Sequence, residues 1–457
     1  MKRRYFLESA AALSSTFLTN THLAAAEPSS QKNVIVNINL NGGPDFRHLL
    51  CPDQNTDYGQ AYWKSRYSLW NINSEAQVPS ITQQLHWVDH PSTTFGFHPQ
   101  ATWLRDQWIQ GKVAIINNVG ITTSRNHDHG TIRLESGDVD ALPNDRQLSG
   151  WGGRCAHAMS ENILSLTPRV SQFCYGPHPS HPKRHDNEIV YSIRDMQKFG
   201  LYKPDGLTST PNGAGAQSVM YRALSSYYQK KNPQLPRSSP YRPAIDHFIK
   251  MNALGDQVKA RLSNIDFPVE LSEMVNGHRT CHHRPFAKEC KNLVEALQAI
   301  DLFKASICSL SYLGFDSHKS QYSSLQEKFY DLFHNDGALA QANQQISLLS
   351  PHISPVYVLH GEFGRQLKAN GDRGTDHGYA NSMIVVGKGV RGGIYGNMFP
   401  AEEIQKFSTY GEHIEAKTSI EPILSKLCNW LSPGIGDLVC PKATTRMLEH
   451  PSVLDFI

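Results

Sequence analysis

VIVNINLNGGPD, residues 34–45, is an apolar run that stops abruptly in two glycines, a proline and an acid. Val34 to Leu40 has the length and the Val/Ile content of a buried strand, and the turn residues after it deliver Asp45 just beyond the strand's carboxyl end. The same arrangement returns along the chain. Val113 to Asn117 runs into NVGITTSRNHDHG with His127, Asp128 and His129; Ile307 to Leu313 runs into GFDSH with Asp316 and His318; Val356 to His360 runs into GEFGR with Glu362 and Arg365. Acids and imidazoles therefore follow the ends of predicted strands.

Helical patterns lie between these strands. From His98 to Gln110 an apolar face carries Trp103, Leu104, Trp108 and Ile109; from Cys290 to Phe303 it carries Leu293, Val294, Leu297 and Ile300. Alternating strands and helices predict an α/β fold with a mostly parallel sheet and helices on both faces. In such sheets ligands bind outside the carboxyl ends of the strands, where the reactive residues of this chain collect. The middle, about 175–274, contains HPSHPKRHD, KPDGLTSTPNGAGAQ and QLPRSSPYRP and reads as a loop-rich insertion over the core that shapes substrate access. Its His178, His181 and His185 lack periodic spacing and read as solvated loop residues.

The N-terminus, MKRRYFLESAAALSSTFLTNTHLAAAEP, has a basic start, a short, weakly apolar stretch and a small-residue end. It reads as an export signal over residues 1–26, with Arg3 and Arg4 resembling a twin-arginine motif, and leaves 27–457 as one domain in a periplasmic or secreted location. The apolar stretch falls short of the roughly 20 residues that span a bilayer. With 44 basic and 41 acidic residues the net charge is only +3, which makes no electrostatic case for a nucleic acid or an anionic membrane as partner. Eight cysteines in an exported chain allow disulfides. Cys281–Cys290 is the first expected bridge and Cys428–Cys440 the second. HRTCHHRPFAKEC offers an alternative, a small metal site from His278, Cys281, His282, His283 and Cys290.

GTDHGYA, residues 374–380, adds Asp376 and His377 between glycines. Asp45, Asp316, His318, Asp376 and His377 are the expected metal ligands, with Zn²⁺ first and Mn²⁺, Mg²⁺ or Ca²⁺ as alternatives; His127, Glu362 and Arg365 are the candidate catalytic residues. Together they exceed one four-coordinate shell, so two ions are conceivable. Taken singly, each has a structural explanation: a turn acid, a helix cap, a Glu362–Arg365 ion pair, a hydrogen-bonded loop histidine.

GGPD, NVGITTSRNHDHG, GWGGR (150–154), GFDSH, EFGR, GTDHG and VGKGVRGGIYG (386–396), in this order, resemble the domain of unknown function 1501 family. That resemblance implies an alkaline-phosphatase-like three-layer α/β/α sandwich, related to sulfatases, whose Asp and His residues collect around metal. Asp45, Asp316 with His318, and Asp376 with His377 match those positions in order. It further implies an exported metal-dependent hydrolase whose partner is a small-molecule or polysaccharide anionic ester, with Arg365 set to neutralise an anionic oxygen. Members often carry a serine before the histidine at the position of His127; this chain has Asn126, which leaves Thr122, Thr123, Ser124 and Thr131 as open nucleophile candidates. His413 is the candidate for a further C-terminal ligand. The alternative is a non-catalytic exported protein that keeps the fold for binding or surface assembly.

Overall fold

The computed structural model describes residues 31–457 except 146–147, 179–180, 187–188, 200–222, 224–225, 237–238 and 240. The expected signal, residues 1–26, lies outside the described residues. Among the described residues fourteen strands follow in chain order: β1 Lys32–Leu40, β2 Leu50–Pro52, β3 His86–His90, β4 Thr93–Phe97, β5 Val113–Gly120, β6 Asn162–Ser165, β7 Gly176–His178, β8 His181–Asp186, β9 Val190–Ser192, β10 Ala305–Tyr312, β11 Ile353–His360, β12 Asn381–Gly387, β13 Gly393–Tyr395 and β14 Thr418–Ser419. Nine form one sheet in the order β13-β5-β12-β11-β1-β10-β6-β9, with β14 paired to β5 beside that path. β1 is parallel to β10 and β11, β10 to β6, and β6 to β9. β12 alone runs against its neighbours β11 and β5.

The sheet is buried on both faces, which explains why its strands read as near-continuous apolar runs. On one face Val34, Val36, Ile38 and Leu40 of β1 pack with Leu359 of β11, Leu293 and Leu297 of the helix Arg284–Leu297, and Leu325 and Phe329 of the helix Gln321–Phe333. On the other, Ile35, Ile116, Val358 and Val385 pack with Trp151 of the helix Trp151–Ala158 and Ile423, Leu424 and Leu427 of the helix Ile420–Leu431. The result is an α/β fold, a mostly parallel mixed sheet between two layers of helices. A smaller antiparallel sheet, β2-β4-β3, sits beside a third cluster built on Tyr62, Trp63 and Trp70. No helix among the described residues is long and apolar enough to cross a membrane.

Each of the four predicted strands forms, extended by two or three residues at one end, and the strand expected over Ile307–Leu313 stops one residue earlier, at Tyr312. The pattern expected over Cys290–Phe303 instead breaks at Gln298–Ala299 into two helices, Arg284–Leu297 and Ile300–Phe303. The expected insertion is also less loop-like at its end than its Pro and Gly content suggests. The helix Arg242–Leu262 and the helix Val269–Asn276 send Leu254, Val258, Leu271 and Met274 into the main core. The backbone of His178, His181 and His185 belongs to the β7–β8 pair, while their side chains lie outside the described residues.

Neither expected disulfide is formed, and all eight cysteines are free. Cys281 faces Asp331 at 3.8 Å, and Cys290 is sealed in the core on a different element. Asp331, fully buried, also accepts from the backbone N–H groups of His282 (3.1 Å) and His283 (2.8 Å) and from the Tyr312 hydroxyl (3.0 Å). His283 in turn caps the helix that follows, its Nδ1 accepting from Phe286 N–H at 3.2 Å. The Cys/His-rich segment is thus a helix entry organised by one buried acid, and among the described residues its side chains form no group spaced to hold a metal ion.

Glu289, on the same helix, is buried and accepts from the Ser311 N–H at 2.8 Å. Burial pushes its carboxyl up to about 8, against the Ser311 hydrogen bond. A folded value above the ordinary 4.5 means that the stabilising protonated form is complete below that pH and is lost as pH rises toward 8. Glu289→Gln keeps the acceptor and removes the titration. Urea unfolding at pH 5 and pH 8.5 should show wild type losing on the order of a few kcal/mol more than the variant between the two. Equal losses would show that Glu289 does not carry the pH dependence.

Candidate functional site

β1, β10 and β11 end together, because the register pairs Leu40 with Tyr312 and Asn39 with both Ser311 and His360. Three loops therefore leave side by side: Asn41–Asp45, Leu313–His318 and Gly361–Arg365. The antiparallel β12 begins at this same edge, which is why Asp376 and His377 arrive there before a strand instead of after one. From β5 the chain crosses Ile121–Asn126 and starts the helix His127–Ser136, so His127 stands at that helix's first position, with Asn126 capping Asp128 N–H at 2.9 Å.

Close approach of these loops requires glycine at two points. At Gly42, with φ +111°, an added Cβ would lie 2.2 Å from the Asp316 backbone nitrogen. At Gly374 it would lie 2.2 Å from the His318 carbonyl. The glycine before the Asp376-His377 pair thus serves contact with the neighbouring loop.

Asp316 is the hub. Its Oδ1 lies 2.8 Å from His377 Nε2, 3.1 Å from His318 Nε2 and 2.8 Å from Arg365 Nη2, and its Oδ2 lies 3.5 Å from His127 Nε2. His318 Nε2 and His377 Nε2 face each other at 3.0 Å. Single ligand atoms of His127, Asp316 and His377 lie within 4.8 Å of one another, the one such group among the described residues.

Every one of the three imidazoles is held from behind. His127 Nδ1 donates to Glu362 Oε1 at 2.8 Å, His318 Nδ1 to Asp376 Oδ1 at 2.7 Å, and His377 Nδ1 to the Arg125 carbonyl at 2.8 Å. A carbonyl oxygen only accepts, so Nδ1 of His377 carries a proton. Burial lowers the His377 pKa, which favours the neutral form. Burial would raise the Asp316 carboxyl, yet its contacts with His377 and Arg365 hold it down at about 2, so it is ionised. His127 is moved the other way, raised by its Glu362 hydrogen bond against partial burial. The arrangement gathers three imidazole Nε2 atoms around one ionised carboxylate, a set of donor atoms suited to a cation.

The expected site residues divide accordingly. His127, Asp316, His318 and His377 come together at the centre. Asp376 stands behind His318 and is held by Asn370 Nδ2 at 3.1 Å and by the Tyr410 hydroxyl. Glu362 makes no ion pair with Arg365; it accepts from Gly42 N–H at 2.9 Å while orienting His127. Asp45 is not brought into the cluster. It is buried in an ion pair with Arg66 and accepts from Gln321 Nε2 at 2.7 Å, in a lower tier where Gln321 also accepts from Thr375 (2.7 Å) and Ser317 (3.0 Å). His413 lies apart, its ring against Tyr379 at 4.0 Å and its Nδ1 3.3 Å from Arg125 Nη2.

Arg365 departs furthest from expectation. Its side chain is 1% exposed. Nε donates to Gly43 O (2.8 Å), Nη1 to Thr375 O (2.9 Å), and Nη2 to Gly42 O, Phe315 O (2.9 Å) and Asp316 Oδ1 (2.8 Å). Each of its nitrogens is thus engaged in joining three loops, and the neutralising role expected for it has no donor nitrogen to serve it. Of the expected nucleophiles, Thr122 Oγ1 is held by Arg133 Nη1 and Ser124 N–H, both at 3.0 Å. Asn370, Gln321, Tyr410 and Arg125 are the supporting residues that sequence reading missed. Asn370, Gln321 and Tyr410 follow no quoted motif, and Arg125 lies in NVGITTSRNHDHG without standing out there, since each contribution depends on contacts made across the fold.

These features define a class, an α/β protein with a His/Asp centre at the carboxyl edge of a mostly parallel sheet. Residues 296–405 match the family described as Protein of unknown function (DUF1501), which supports the assignment of the chain to that family. The matched segment holds Asp316, His318, Glu362, Arg365, Asp376 and His377, and His127 precedes it. No curated protein matches the chain.

Proposed function

We propose that this chain is an exported, metal-dependent hydrolase of phosphate or sulfate esters with an alkaline-phosphatase-like fold. The observation that carries the reading is the orientation of the three imidazoles, each with its Nδ1 proton turned outward and its Nε2 turned toward Asp316. That is the outer-shell pattern of metal-ligating histidine, in which the second ring nitrogen donates to a carboxylate or a carbonyl. Asp316 and His377 would hold a divalent ion, with the Nε2 atoms of His127 and His318 as the neighbouring donors. A set rich in imidazole nitrogen favours Zn²⁺ over Mg²⁺ or Ca²⁺, which prefer oxygen. Such an ion supplies Lewis-acid polarisation of an ester oxygen. Glu362 and Asp376 fix the tautomers of His127 and His318, and Arg365 holds Asp316 in place. The export assignment rests on the N-terminal sequence.

Elemental analysis of the purified protein, followed by aryl phosphate and aryl sulfate assays before and after chelation, tests the reading. About one Zn²⁺ per chain is expected, with ester turnover lost on chelation and restored by Zn²⁺. A protein that holds no metal, or cleaves no ester when loaded, is the non-catalytic alternative.

A further inference from the structure

The geometry points to Arg125 as the residue that binds the anionic group of the substrate, an inference that rests on the ester-hydrolase reading above. A site that handles phosphate or sulfate needs a cation for the oxygens that metal does not take, and Arg365 has no nitrogen free. Arg125 lies against the same centre, because its own carbonyl accepts from His377 Nδ1 at 2.8 Å. Its side chain is exposed. The guanidinium rests over the Tyr379 ring at 5.2 Å, and Nη2 donates to Gly411 O at 2.8 Å beside His413 Nδ1.

One edge of the guanidinium is therefore fixed in direction by Tyr379 and Gly411, while Nε and Nη1 have no hydrogen-bond partner among the described residues. The free Nε–H and Nη1–H groups of a guanidinium held in direction each offer a charge-assisted hydrogen bond to an oxygen of a tetrahedral anion. Arg125 thus joins the centre at two levels. Its backbone positions His377, and its side chain offers an exposed positive charge beside His413. Because the backbone contact survives any side-chain replacement, substitution at this position separates anion recognition from metal retention.

The test is calorimetric titration of inorganic phosphate and of sulfate into purified wild-type protein, Arg125→Gln and Arg125→Lys, with metal content measured for each. At least one anion should bind wild type, with affinity reduced at least about 10-fold in Arg125→Gln, as expected for a charge-assisted hydrogen bond. Arg125→Lys should fall between, and metal content should be unchanged across the three. Equal affinity in wild type and Arg125→Gln, or no binding of either anion to wild type, overturns the inference. Metal absent from all three overturns the hydrolase reading separately, since the affinity comparison is made on the protein as purified.

Discussion

Asp316→Asn is expected to reduce ester cleavage by at least about 10³-fold and to abolish metal retention, which corresponds to about 4 kcal/mol of transition-state stabilisation. The size follows from the position of this carboxylate. It is the one group in contact with His377, His318, His127 and Arg365 together. Asparagine keeps the shape and an oxygen that accepts from Arg365, so the loops stay joined; what it removes is the negative charge that the three imidazoles surround. Kinetics and elemental analysis of the same sample check the prediction. Wild-type metal content and turnover in Asp316→Asn would place the chemistry away from this cluster.

Arg365→Met should produce the largest loss of stability among substitutions near the site, about 3–5 kcal/mol, read as a lowered urea midpoint. Methionine fills much of the volume but leaves the carbonyls of Gly42, Gly43, Phe315 and Thr375 without their donor, and it removes the guanidinium contact of Asp316. Arg365→Lys should recover only part of the loss. A lysine offers three donors from a single atom, and the acceptors here surround a planar fork. A variant that keeps wild-type stability while losing turnover would return Arg365 to the substrate-binding role suggested by its motif.

The two predictions also separate what neighbouring motif residues do. Asp316 and Arg365 sit in GFDSH and EFGR, and both read as chemistry-bearing in sequence. Burial distinguishes them: the Asp316 side chain is 40% exposed and that of Arg365 is 1%. A charged group held by carbonyls in the interior stabilises the loops, and one open to solvent among imidazoles is available to a ligand.

The strands Val34–Leu40, Val113–Asn117, Ile307–Leu313 and Val356–His360 were legible in sequence because a sheet covered on both faces needs continuous apolar runs. So was the clustering of acids and histidines after them, because a parallel sheet sends its loops to one edge. β12 was not legible in the same way. It follows a Gly-rich segment, and its direction depends on which strands flank it. That direction brings Asp376 and His377 to the carboxyl edge. Nor did sequence separate ligand from support: Asp45, Asp316 and Asp376 are all acids near glycine, and their tasks diverge only through Arg66, the three imidazoles, and Asn370 with Tyr410. Local patterning determined where reactive groups would gather, since apolar periodicity and turn residues act over a few positions. Tertiary structure decided which of them meet, since the hydrogen bonds that assign each role join residues far apart in the chain.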